Sequence, residues 1–154
     1  MIALIDYGAG NLTSVRKALA ALGAEYVVPR SPAELAGASG VIVPGVGHFA
    51  ATAALEGAWY GAIAAAVERG TPLAGICLGM QWLFEGSDED PGVRGLGVIK
   101  GRITRLKGNS EQRVKVPHVG WNALDFRPSS SGAESALLRG LASGAQVYFT
   151  HSYA

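Results

Sequence analysis

Apolar residues in the first half of the chain come in short runs separated by stretches with helical spacing. "MIALID" is an apolar, β-compatible run that ends at Tyr7-Gly8-Ala9-Gly10. "NLTSVRKALAALG" follows, with Leu12, Val15, Leu19 and Leu22 spaced as one helix face and Gly23 as its stop. "EYVV" predicts a second strand. Ser31 and Pro32 open a short helix reaching Ala38, Ser31 as its N-cap and Pro32 as its first residue. "GVIVPG" predicts a third strand, followed by two alanine-rich helical segments near Phe49–Glu56 and Trp59–Arg69. "TPLAGIC" predicts a fourth strand and "LGMQWLF" a helix. Strands apolar on both faces, alternating with helices, predict an α/β fold. Its sheet is open, mostly parallel and covered by helices on both sides.

Beyond Phe84 the pattern changes. "GVIKGRITRL" alternates apolar with charged residues, which predicts an antiparallel hairpin with one wet face. "KVPHVGWNALDF" reads as loop then strand, "RPSSSGAES" as a polar loop, "ALLRGLA" as a short helix and "QVYFTHSYA" as a final strand. No composition shift marks a boundary, so residues 1–154 are expected to form one domain with antiparallel additions in its second half.

Composition alters this picture at one point. Glycine contributes 22 of 154 residues, about twice the ~7% average, and the glycines stand singly where strands meet helices. They read as architecture. The net charge of +1 argues against a polyanion as the main partner. Seven of the 13 Lys and Arg nevertheless lie between Arg94 and Lys115: Arg94, Lys100, Arg102, Arg105, Lys107, Arg113 and Lys115. A solvated, charged hairpin face is the expected explanation, with a docking surface for a partner or phosphorylated ligand held in reserve. No apolar run approaches the ~18 residues of a membrane span. "MIALIDYG" lacks a basic leader and one cysteine forms no internal disulfide, which together predict a reducing cytoplasm.

That single cysteine, Cys77, carries the chemistry. It ends the strand "LAGIC" and precedes a helix, and ligands of open α/β sheets bind beyond the carboxyl ends of strands. Gly75-Ile76-Cys77-Leu78-Gly79 has the G-x-nucleophile-x-G form of a strand–turn–helix elbow. A helix N-terminus there would favour the thiolate. A lone cysteine is otherwise often a small buried hydrophobe; the flanking glycines and the strand–helix setting favour the nucleophile. Pro44-Gly45-Val46-Gly47 follows another strand and should lie at the same edge, where its amides and the N–H of Leu78 could face a developing oxyanion. Gly8-Ala9-Gly10 does not complete a dinucleotide fingerprint, because the third glycine position falls on Thr13.

With these residues in place, the chain resembles the class I (triad-type) glutamine amidotransferases, and more narrowly the glutaminase subunits of imidazole glycerol phosphate synthase. "IDYGAGNL", "PGVGHF", "GICLGMQ", "LFEGSDEDPGVRGLG", "PHVGWN" and "YFTHSY" carry the likeness from end to end. The resemblance implies a flavodoxin-like sheet and Cys77 as the nucleophile attacking the glutamine side-chain amide. It implies an oxyanion hole at Gly47 and Leu78, with Val46 in the strand whose peptide orientation is adjusted for activity. Gln81, Glu89, Ser152 and Tyr153 are implied as glutamine-binding residues. Asn11, His118 and Trp121 would face the partner, a (β/α)₈-barrel cyclase that receives ammonia and makes imidazole glycerol phosphate and aminoimidazole carboxamide ribonucleotide. No cofactor and no metal are implied.

One segment of the family pattern is absent. Family members carry F-H-P-E, which supplies the catalytic histidine and its orienting glutamate, and no such stretch occurs in these 154 residues. A cysteine nucleophile needs a base within ~3 Å. None of His48, His118 and His151 fits the pattern of that base. The expectation is a C-terminally truncated domain, a poor or inactive glutaminase by itself. The competing readings are a non-catalytic partner-binding module of the same fold, a cysteine hydrolase of the same architecture, and a glutaminase subunit of another pathway. "PHVGWN" argues against the last.

Overall fold

The computed structural model describes residues 1–108, 115–126 and 136–154. Its contacts gather into two compact units, Met1–Arg105 and Leu106–Ala154. Arg113 and the predicted loop 127–135 lie outside the described residues.

The first unit is built on strands β1 (Ile2–Leu4), β2 (Tyr26–Val27), β3 (Gly40–Val43) and β4 (Leu73–Gly75). They form a sheet of order β2-β1-β3-β4 in which every pairing is parallel. Helix α1 (Leu12–Ala21) connects β1 to β2, and α2 (Ala58–Glu68) lies between β3 and β4. Asn11 caps α1, its side-chain oxygen accepting the Ser14 N–H at 3.1 Å. The predicted segments at Pro32–Gly37 and Phe49–Leu55 are 3₁₀ helices. One face of the sheet contributes Ala3, Ile5, Val41 and Val43 to a core shared with Leu35, Leu55, Ile63, Ala66 and Trp82. Leu4 is also fully buried and alternates to the opposite face.

Helix α3 covers only Leu78–Gln81, shorter than the predicted "LGMQWLF". Leu83 N–H and Phe84 N–H donate to carbonyls three residues back, Met80 and Gln81, so the helix tightens into turns and stops.

The predicted hairpin in "GVIKGRITRL" does not form. Strands β5 (Gly86–Ser87) and β6 (Asp90–Arg94) pair antiparallel, whereas β7 (Arg102–Ile103) joins β5 in parallel. The donors of Ile99 and Gly101 go to the preceding turn instead: Ile99 N–H to the Leu83 carbonyl, and Gly101 N–H to the Glu85 carboxylate at 2.9 Å. Two of the basic residues are used internally. Arg102 bonds the Ser87 carbonyl at 3.0 Å and approaches Asp88 at 3.5 Å, and Arg94 stacks over the Tyr60 ring at 4.2 Å. That use fits the charged structural face expected of this segment.

In the second unit, β8 (His118–Ala123) and β9 (Gln146–His151) form an antiparallel pair. Leu106 N–H donates to the Ser152 carbonyl at 2.8 Å. The predicted helix "ALLRGLA" is one 3₁₀ turn at Ala136–Leu138. Among the described residues no helix is long and apolar enough to cross a membrane.

Candidate active site

Parallel pairing brings the carboxyl ends of β1, β3 and β4 to one edge. Val43 stands opposite Gly75, and the Ile76 N–H donates to the Val43 carbonyl at 3.0 Å. The residues after these strands therefore emerge side by side: Tyr7, Pro44–Gly47 and Cys77.

Cys77 is exposed, with φ +54° and ψ −115°. It is the one non-glycine residue with positive φ among the described residues. Such a conformation strains a residue bearing a Cβ, and strain of this kind gathers where function requires a side chain held in place. The elbow is possible because its flanks have no side chains. A Cβ on Gly75 would run into the backbone of Met80, and one on Gly79 into the Val43 carbonyl. Strand and helix can cross at that distance only with glycine at both positions.

The adjacent loop packs directly on the elbow. A Cβ on Gly45 would lie 2.5 Å from the Gly79 nitrogen, 2.6 Å from Leu78 Cβ and 2.8 Å from the Tyr7 hydroxyl. Pro44 and Gly45 are buried, while Val46, Gly47 and His48 are exposed. Gly47 has φ +108° and nothing near its Cβ position. The loop ends where Glu89 accepts the Phe49 N–H at 2.8 Å and His48 Nδ1 accepts the Ala50 N–H at 3.1 Å. Tyr7 donates its hydroxyl to the Pro44 carbonyl at 2.8 Å. Burial foremost, and then the charge of Cys77, push that hydroxyl from 10.0 up to about 12.

The first unit thus unites Cys77, Leu78, Val46 and Gly47 at one strand edge. Gln81 follows on α3, half-buried, its N–H donating to the Cys77 carbonyl at 3.0 Å. Glu89 is tied to the far end of the same loop. Asn11 is exposed on the solvent side of its helix cap. Tyr7 received no role from sequence, although it stands one residue beyond Asp6 at the edge where the other two loops emerge.

Ser152, Tyr153, His118 and Trp121 belong to the second unit. His118 and His151 are cross-strand partners whose Nδ1 and Nε2 lie 3.0 Å apart. His118 Nε2 is 3.1 Å from Asn122 Oδ1, and His151 Nδ1 is 3.1 Å from the Tyr153 carbonyl. His118 also stacks on Phe149 at 5.4 Å. Strand alternation places Trp121 on the other face of β8, where it is 68% exposed and meets Tyr148 edge-on at 5.6 Å. His118 and Trp121, two of the three expected partner-facing residues, therefore occupy opposite faces of the strand pair. No group of three or more His, Cys, Asp or Glu among the described residues could hold a metal ion.

The family model described as glutamine amidotransferase class-I matches residues 3–154. The chain belongs to the class-I glutamine amidotransferase family. Within that family it is similar to curated proteins named imidazole glycerol phosphate synthase subunit HisH. The Geobacillus kaustophilus protein is 49% identical over 158 residues, covering 99% of this chain and 72% of that relative. The Thermococcus kodakarensis protein is 44% identical over 153 residues, covering 99% and 71%. The Deinococcus radiodurans protein is 44% identical over 154 residues, covering 99% and 68%. A solved structure titled as a glutamine amidotransferase superposes with a TM-score of 0.68 at 23% identity, over 97% of this chain and 71% of that one. That likeness supports the amidotransferase fold, with its parallel sheet and antiparallel additions.

Proposed function

We propose that Cys77 is the nucleophile of a glutaminase subunit serving an imidazole glycerol phosphate synthase of histidine biosynthesis. The thiolate attacks the side-chain amide carbon of L-glutamine, and the carbonyl electrons move onto oxygen. The N–H groups of Gly47 and Leu78 face that oxyanion. Collapse of the intermediate breaks the C–N bond, and the protonated nitrogen leaves as ammonia, with a glutamyl thioester remaining on Cys77. Water then cleaves the thioester to glutamate and restores the thiol. Gln81, Glu89, Ser152 and Tyr153 are the proposed contacts to glutamine. The observation that carries this reading is the strained, exposed Cys77 with the glycine loop packed against its elbow.

A base must take and return the proton in these steps. His48 spends Nδ1 on the Ala50 N–H, and His118 and His151 are engaged with each other. We assign the base to none of them.

The HisH relatives are named as subunits, which supports a partner subunit for this chain, proposed as a (β/α)₈-barrel cyclase that receives the ammonia. Val119, Trp121 and Tyr148 are exposed by more than half on one face of β8 and β9. A strip of that composition suits a protein interface; Trp121 lies within it, and Asn11 and His118 are proposed contacts outside it.

The test is mass spectrometry after treatment with a diazoketone analogue of glutamine. One adduct on Cys77, with glutamine protecting against it, supports the reading. An unmodified Cys77, or modification indifferent to glutamine, overturns it and leaves a non-catalytic module of this fold.

A further inference from the structure

The loop from Pro44 to His48 is held at both ends by side chains. Glu89 holds the far end through the Phe49 N–H, and the Tyr7 hydroxyl holds the near end through the Pro44 carbonyl. Between these anchors Val46 and Gly47 are exposed, and Gly47 has open space around it. We propose that Tyr7 is a positioning residue for the oxyanion loop: its hydroxyl sets the Pro44–Gly45 peptide plane, and thereby how the Gly47 amide is presented to Cys77. This rests on the reading of the Gly47 N–H as an oxyanion donor.

Proline's ring fixes φ at Pro44. Its ψ remains, and rotation about ψ would swing the carbonyl away from Tyr7. Holding that carbonyl at 2.8 Å therefore immobilises Pro44. The Pro44–Gly45 peptide is trans and planar, so fixing its C=O also fixes its N–H. Gly45 comes next, with the widest backbone freedom of any residue. It has to be glycine, because Gly79 and Leu78 leave no room for a Cβ. Steric closeness thus removes the side chain that would otherwise restrict this turn. The phenol replaces that restriction from outside, across 37 residues of sequence.

Leaving the bond unmade has a definite penalty. Pro44 is buried, and a buried carbonyl without a donor loses its hydration and gains nothing. Rotated forms of the loop are therefore disfavoured while Tyr7 is present. The hydroxyl stays protonated throughout the neutral range, so the clamp is always set. Tyr7 acts through the loop, which distinguishes it from the residues proposed to touch substrate.

The experiment compares wild type with Tyr7→Phe, which keeps the ring and removes only the donor. Inactivation by the diazoketone analogue is followed as a rate at saturation and a half-saturation concentration. Alkylation by iodoacetamide, which needs no oxyanion hole, serves as the reference. The saturated rate should fall by about tenfold to a hundredfold in Tyr7→Phe. The half-saturation concentration and the iodoacetamide rate should each stay within about twofold. An unchanged saturated rate, or an equal loss with both reagents, overturns the proposal. Amide hydrogen exchange of residues 45–47 tests the clamp without any glutamine chemistry. Faster exchange in Tyr7→Phe supports it, and identical exchange overturns it. Failure of the analogue to label wild type would defeat the glutaminase reading, while the exchange measurement still decides the clamp.

Discussion

Glu89 accepts the backbone N–H of Phe49 at 2.8 Å, forty residues earlier in the chain. The acidic run "SDED" is therefore more than a solvated turn, because one of its carboxylates caps the 3₁₀ helix that follows the glycine loop. Glu89 is itself oriented by its N–H bond to Ser87 Oγ at 3.1 Å, and Ser87 is fully buried. Glu89→Ala should lower unfolding free energy by about 1–2 kcal/mol, the usual cost of losing a cap or a charged hydrogen bond. Glu89→Gln retains an acceptor oxygen and should lose less than about 1 kcal/mol. Urea denaturation of the two variants checks the order. Equal losses would show that the Phe49 contact contributes nothing to stability.

Cys77 holds a backbone geometry that favours glycine, at φ +54°. Positions of this kind cost about 1–3 kcal/mol. Cys77→Gly should therefore be more stable than Cys77→Ala, which keeps the Cβ and its strain, by about 1 kcal/mol. For a chain of this size that corresponds to roughly 2–4 °C in Tm. Both variants should be inert to the glutamine analogue. Calorimetry on the pair isolates the backbone contribution, since neither variant has a thiol. Equal melting temperatures would mean that the elbow stores no strain.

Two glycines on the same unit should respond oppositely to alanine. At Gly79 a Cβ would strike the Val43 carbonyl, a backbone atom that cannot rotate away. Gly79→Ala should cost about 1–3 kcal/mol or more by forcing α3 off the sheet. Gly61 lies within α2, exposed, with nothing within 4 Å of its Cβ position. Gly61→Ala should stabilise by about 0.5–1 kcal/mol, through helix propensity and reduced unfolded-chain entropy. Urea midpoints moving in the same direction for both variants would contradict the close crossing at the elbow.

What could be read from sequence follows the range of each interaction. "GVIV" is apolar at every position because β3 lies between two neighbours and is covered on both faces, so its class was evident. The glycines around Cys77 were evident as a pattern, although their partners, Met80 and Val43, depend on the fold. "GVIKGRITRL" misleads because alternation signals one wet face without naming a partner. The donor at Gly101 goes to Glu85, sixteen residues back, and Arg102 pairs with a strand already in place. Tyr7 was missed for a related reason. Its role rests on a hydrogen bond to a backbone carbonyl, and any residue type at position 44 would offer that acceptor.

The position of Tyr7 makes stability depend on pH in the alkaline range. Its hydroxyl lies at 10.0 when unfolded and is pushed up to about 12 in the fold, mainly by burial and then by the charge of Cys77. The folded state therefore holds this proton more tightly than the unfolded state. By linkage, its contribution to stability is complete below pH 10 and is lost as pH rises from about 10 to about 12. Ionisation would also remove the donor to the Pro44 carbonyl and place a negative oxygen against that acceptor. Wild type should accordingly lose stability over this window more steeply than Tyr7→Phe, which has no proton to release there. The other four tyrosines are common to both proteins and cancel in the comparison. Urea midpoints at pH 9, 10 and 11 give the two slopes. Spectrophotometric titration of the phenolate should show one tyrosine fewer in the variant, missing from the high end of the curve. Parallel slopes in the two proteins would place the Tyr7 hydroxyl in water and leave the Pro44 carbonyl without its tether.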